Sequence, residues 1–111
     1  MRKVISIVLL FICSVSTASA GYINGHVLKS MSVAPVTENS HLQYVGYVIG
    51  VIDADEQQNV CVNEPPNALT PVLDAVRKYL ANNPEKLNNS GNSLVISALI
   101  SSYACKDKAK S

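Results

Sequence analysis

The sequence predicts an all-α fold: a small single-domain bundle of four to five helices with one disulfide, after an N-terminal signal peptide. Apolar residues recur at three- and four-residue steps, the period of a helix with one buried face. Prolines and asparagines at Pro65-Pro66 and Asn82-Asn83-Pro84 break that pattern at intervals suited to helix connections. Two cysteines, Cys61 and Cys105, remain once the leader is removed.

The leader reads in three parts. Arg2 and Lys3 supply a positive start, residues 4–15 are apolar apart from Ser6 and Ser14, and Ala18-Ser19-Ala20 is a small-x-small cleavage pattern. Cleavage is expected before Gly21, which makes residues 1–20 the signal peptide and residues 21–111 the working domain. The apolar run is about 12 residues, short of the roughly 20 that a membrane span needs. No charged stop-transfer cluster follows it, so no stable membrane insertion is expected after processing. Cys13 follows Phe11-Ile12 rather than the small residue that precedes a lipid-modified cysteine, and it departs with the leader.

A chain of this size buries only about 60–65% of its unfolded surface, so a covalent staple matters. An even cysteine count in an exported protein reads as a disulfide, and Cys61 with Cys105 allow one pairing. Its loop of about 45 residues would restrain the unfolded chain by roughly 4 kcal/mol in the chain-entropy model.

The first helix is expected over residues 22–32, with Ile23, Val27, Leu28 and Met31 at usable spacing and Gly25 as its weak point. Residues 33–38 read as linker. In the second helix Leu42, Val45, Val48, Ile49 and Ile52 form the expected buried stripe, with Asn39 or Ser40 as cap. The run Asp53-Ala54-Asp55-Glu56 ends it. β-branched residues in 44–52 would also suit a strand, but the helical period persists over three turns. Gly46 and Gly50 predict a flat stripe that another helix approaches closely.

Thr70-Pro71 reads as an N-cap followed by proline in the first turn, where the missing N–H costs nothing. Val72, Leu73, Val76, Tyr79 and Leu80 then face inward, with Asp74, Arg77 and Lys78 facing water. A turn over residues 85–87 leads to Asn88-Asn89-Ser90-Gly91-Asn92, a run of turn formers. The last helix places Leu94, Val95, Ala98, Leu99 and Ser102 on one side and ends near Cys105.

The chemistry-bearing groups do not assemble into a catalytic signature. Both cysteines of the processed chain are assigned to a bridge, and neither His26 nor His41 has zinc spacing to them. Asp53, Asp55 and Glu56 lack the further oxygen ligands and central glycine of a calcium loop, so they read as a solvated helix end. Asn88-Asn89-Ser90 matches a glycosylation acceptor, a common chance pattern. After cleavage the chain holds seven basic and eight acidic residues, a net charge of −1. That balance, with the only basic cluster being Lys106, Lys108 and Lys110, excludes the concentrated basic face that nucleic acid requires. The reading is a non-enzymatic protein without cofactor or metal.

Across residues 44–105 the sequence resembles the Rap/Tai immunity proteins, neutralisers of type VI secretion amidase effectors. The resemblance rests on Tyr47-Val48-Ile49-Gly50-Val51-Ile52-Asp53-Ala54, Cys61-Val62-Asn63-Glu64-Pro65 and Val76-Arg77-Lys78-Tyr79-Leu80 with Pro84-Glu85. Leu94-Val95-x-x-Ala98-Leu99 and Tyr103-Ala104-Cys105 complete it in order. Members commonly carry two further cysteines, in the first helix and just before the Tyr-x-x-Gly motif. Here Ser30 or Met31 and Tyr44 stand in those regions, as loss of one whole disulfide would leave them.

The resemblance implies an all-helical periplasmic inhibitor, a homodimer, that occupies the cleft of a peptidoglycan amidase effector. Such a plug needs a rigid scaffold and a projecting polar segment. Residues 82–86 and 88–92 are the candidates, through Asn82, Asn83, Glu85, Lys86, Asn88, Asn89 and Asn92, held between two helices that the disulfide ties down. Two other classes compete. A small periplasmic stress chaperone would carry many carboxylates or lysines to drive charging, whereas 15% of this chain is charged. An envelope assembly partner would show no dependence on an effector.

Overall fold

The computed structural model describes residues 22–62 and 69–106. Residues 1–20 (expected as the leader), Pro65-Pro66 and the tail lysines Lys108 and Lys110 lie outside the described residues. Four α-helices and one 3-10 turn follow in order: α1 (Gly25–Ser32), α2 (Asn39–Asp55), α3 (Leu69–Asn82), the turn Pro84–Lys86, and α4 (Gly91–Tyr103). α4 packs against the three others, and α1 also packs against α2 and α3. Leu28, Tyr44, Val48, Val72, Val76, Leu80, Val95 and Leu99 are fully enclosed where these faces meet. The described residues contain no strand, only two isolated antiparallel bridges, and no helix long and apolar enough to cross a membrane.

α2 is rotated from the expected face. Its buried residues are Tyr44, Val48 and Val51, a four-then-three spacing, whereas Leu42 is 65% exposed and Ile49 38% exposed. The helix is apolar on nearly every side, so periodicity does not select a face. Tyr44 does: its ring enters the core and its hydroxyl donates to the Leu73 carbonyl of α3 at 2.5 Å. Gly46 and Gly50 consequently point outward, and a Cβ at either position would meet nothing within 4 Å. Among the described residues no helix approaches there.

Three boundary expectations are also corrected. Glu38, not Asn39 or Ser40, occupies the N-cap of α2, with extended backbone and no side-chain capping bond. Thr70 lies within the first turn of α3 rather than ahead of it. Gly91 and Asn92 belong to α4, and Ser102 on that helix is exposed.

Arg77 does not simply face water. Its Nε donates to the Ser32 carbonyl at 2.7 Å, its Nη1 pairs with Asp74 at 2.5 Å, and its guanidinium lies 5.2 Å from the Tyr44 ring centroid. A cation thereby satisfies a carbonyl at the C-terminus of α1, where the helix leaves acceptors unpaired. One side chain on α3 so joins the C-terminal end of α1 and the core ring of α2.

The Cys61–Cys105 disulfide is present, with Cα atoms 4.9 Å apart. Cys61 N–H donates to the Tyr103 carbonyl at 2.7 Å and Cys105 N–H to the Asn59 carbonyl at 3.2 Å, flanking the Val60–Ala104 bridge. The chain reaches this pairing through Glu56 and Gln57, both at positive φ (50° and 59°). Asp55 holds the turn by accepting from the backbone of Asn59 and Val60 and from the Asn59 amide at 2.8–2.9 Å. Desolvation pushes the Asp55 carboxyl up, but these donors outweigh it together and leave the group below its ordinary value.

Candidate partner-binding edge

Of the seven expected polar residues, Asn83, Glu85, Lys86, Asn88 and Asn89 lie on the connection between α3 and α4, with Asn82 the last residue of α3 and Asn92 in the first turn of α4. Pro84–Lys86 makes a single 3-10 turn, closed by Lys86 N–H to the Asn83 carbonyl at 3.0 Å. Asn89 N–H continues it to the Lys86 carbonyl at 3.0 Å. Leu87 is its anchor, 5% exposed among outward-facing neighbours.

This connection docks on the start of α1, and the reason lies in unpaired helix amides. The first turn of any helix leaves N–H groups without intrahelical acceptors. Gly25 N–H donates to the Asn89 carbonyl at 3.0 Å, His26 N–H to the Leu87 carbonyl at 3.2 Å, and Val27 N–H to the Asn24 side chain at 3.1 Å. α4 is served reciprocally. Gly91 N–H donates to the Ile23 carbonyl at 2.7 Å, and the Asn92 backbone amide donates to the Tyr47 hydroxyl. Desolvation, opposed by that bond, still raises the Tyr47 phenol above its usual value. Asn24 and Ser90, the two N-cap residues, form an antiparallel bridge between the helix starts.

Two glycines make the approach possible. A Cβ on Gly25 would sit 2.6 Å from Leu94 Cδ1, 2.7 Å from Leu87 Cα and 2.8 Å from the Leu87 carbonyl oxygen. One on Gly91 would sit 2.8 Å from the Tyr47 hydroxyl and 3.0 Å from the Ile23 carbonyl oxygen. Gly25, which looked like a defect in the first helix, is required by contact. The sequence contains no short-range signal for it, because its partners lie more than sixty positions away.

The disulfide does not hold this edge. Cys105 follows the C-terminal end of α4 and the edge adjoins its N-terminus, which separates them by a 13-residue helix of about 20 Å. The frame missed by sequence reasoning is instead the segment Ile23, Asn24, Gly25 and His26 with Tyr47 and Gly91.

The candidate side chains divide by engagement. Asn83 donates from Nδ2 to the Tyr79 carbonyl at 2.8 Å, Asn88 Oδ1 lies 3.2 Å from His26 Nε2, and Asn92 Oδ1 accepts from Ser90 at 2.7 Å. Asn82, Glu85, Lys86 and Asn89 are exposed and make no side-chain hydrogen bond or ion pair among the described residues. A groove of about 640 Å³ runs along the α2–α4 side from Asn92 past Tyr47, Gly46 and Gly50 to Asp55. Another, of about 450 Å³, lies between α3 and α4 and includes Asn82 and Asn83. No group of three or more His, Cys, Asp or Glu side chains is arranged to hold a metal among the described residues.

The model of one protein family, the Rap1a immunity proteins, matches residues 13–105 of the chain. The match reaches back through α1 beyond the 44–105 span read from motifs. No curated protein matches the chain, and no solved structure does.

Proposed function

The chain belongs to the Rap1a immunity protein family, and from that premise we propose that it is a periplasmic protein that neutralises a peptidoglycan amidase delivered by type VI secretion. Residues 82–92 enter the cleft of the toxin and exclude its substrate. The immunity protein contributes no catalytic group, and the working form is a homodimer of residues 21–111 after removal of the signal peptide 1–20.

The observation that carries the reading is the docked edge. A blocking segment must already hold its bound shape, because ordering a loose loop on association consumes affinity. Here Leu87, Asn89 and Gly91 are tied to the start of α1 through backbone hydrogen bonds of 2.7–3.2 Å. Polar side chains project from that rigid backbone. A half-exposed disulfide also suits an oxidising compartment and not the cytosol.

Expression of peptidoglycan amidase effectors in the periplasm, with and without this protein, tests the proposal. Lysis by at least one amidase is expected to be suppressed, and the two proteins are expected to co-purify. Lysis unchanged across the amidases, with none retained, contradicts it.

A further inference from the structure

We infer that Asn82, Glu85, Lys86 and Asn89 are the edge residues that touch the toxin, while Asn83, Asn88 and Asn92 act through the frame as positioning residues. The inference rests on the proposed immunity function and adds the division of labour within the edge.

Engagement within the fold separates the two groups. To meet a partner, Asn83, Asn88 or Asn92 would surrender a bond to the Tyr79 carbonyl, His26 or Ser90 respectively. A hydrogen bond exchanged for another returns little net free energy. Asn82 and Asn89 give up only water, and so do Glu85 and Lys86. Their chemistry suits a cleft that holds the peptide part of peptidoglycan. A primary carboxamide presents one carbonyl acceptor beside N–H donors, the same hydrogen-bonding pair as a peptide group. Two such groups flank adjacent charges of opposite sign, so the free part of the edge has no net charge.

Asn89 has a double part that makes its side chain a clean probe. Its backbone carbonyl accepts from Gly25 and its N–H donates to the Lys86 carbonyl, while its carboxamide makes no bond among the described residues. Truncation to alanine removes the free group and leaves both backbone bonds.

The test uses the protein purified from the periplasm and the amidase that it neutralises in the lysis assay, with affinity measured by calorimetry. Asn82→Ala/Asn89→Ala and Glu85→Ala/Lys86→Ala are each expected to weaken Kd at least tenfold with an unchanged thermal midpoint. Asn88→Ala and His26→Ala are expected to have equal effects, and the double variant no more than either alone, because both delete one contact. Faster amide exchange at Gly25 and His26 should accompany them. Wild-type affinity in both edge variants would overturn the inference while leaving the immunity function standing. So would loss of binding confined to Gly50→Leu, which fills the α2–α4 groove instead. If the unmodified protein neutralises no amidase, the functional reading itself falls and this assignment goes with it.

Discussion

Tyr44 carries a phenol into the core and has to satisfy it there. Its ring is 0% exposed, its hydroxyl bonds the Leu73 carbonyl, and Arg77 lies over its face. Desolvation, offset in part by the neighbouring guanidinium, pushes the phenol up from 10.0 to about 12. Because the folded value exceeds the unfolded one, the native state retains the proton longer. The associated stability, at most about 3 kcal/mol, is complete below pH 10 and is lost as pH rises toward 12. Tyr44→Phe should cost about 1–2 kcal/mol at neutral pH through the lost bond, a fall in thermal midpoint of about 4–16 °C. It should also flatten the decline above pH 10. Thermal melts of both proteins between pH 7 and 11 check this, and an unaltered alkaline decline would show that Tyr44 is not its source. In the sequence this residue stood out only as occupying the region of an absent cysteine, and its role as the core pivot was not legible there. Burial with a hydroxyl partner is a property of α3 as much as of Tyr44.

At the scale of elements, the chain spells out its helices better than the faces they present. Asn82-Asn83-Pro84 located the C-terminal end of α3, and of its expected stripe Val72, Leu73, Val76 and Leu80 are buried while Tyr79 is half-buried. Charged residues on the opposite side made that stripe unambiguous. α2 lacks this contrast: from Asn39 to Ile52 it has no formally charged side chain, so several apolar stripes compete, and of the expected one Val48 is buried and Val45 and Ile52 pack on the core while Leu42 and Ile49 face outward. The glycines show the same limit. Those in register on α2, Gly46 and Gly50, face open space, while the isolated Gly25 and Gly91 permit contact between helix starts. Substitution distinguishes the two pairs. Gly46→Ala and Gly50→Ala should each stabilise by about 0.5–1 kcal/mol, since alanine restricts the unfolded chain and meets no obstacle. Gly25→Ala should destabilise by about 1–3 kcal/mol, because Leu87 backbone atoms block the methyl group. Denaturant titrations read both signs; destabilisation by the α2 substitutions would mean that something covers that face.

For the whole molecule, fastening occurs at two opposite ends. At one, the disulfide with the Val60–Ala104 bridge joins the region after α2 to the end of α4. At the other, the starts of α1 and α4 cap each other and carry the polar edge. The first fastening was readable from two cysteines; the second was not, since it depends on backbone amides that every sequence possesses. Cys61→Ser should lower stability by about 2–5 kcal/mol, measurable by denaturant unfolding. Amide exchange at Gly25 and Gly91 should change less than at Cys61 and Cys105, and an equal change at both ends would mean that the two fastenings act as one. Neutralisation by occupancy of a cleft is tested in a purified system. Increasing amounts of the purified protein are added to an amidase digesting peptidoglycan fragments, and the rate is followed. Activity should fall linearly to zero at a fixed stoichiometric ratio, and prior addition of excess fragments should slow the onset of inhibition. A complex that forms while the amidase still cleaves at full rate would contradict it.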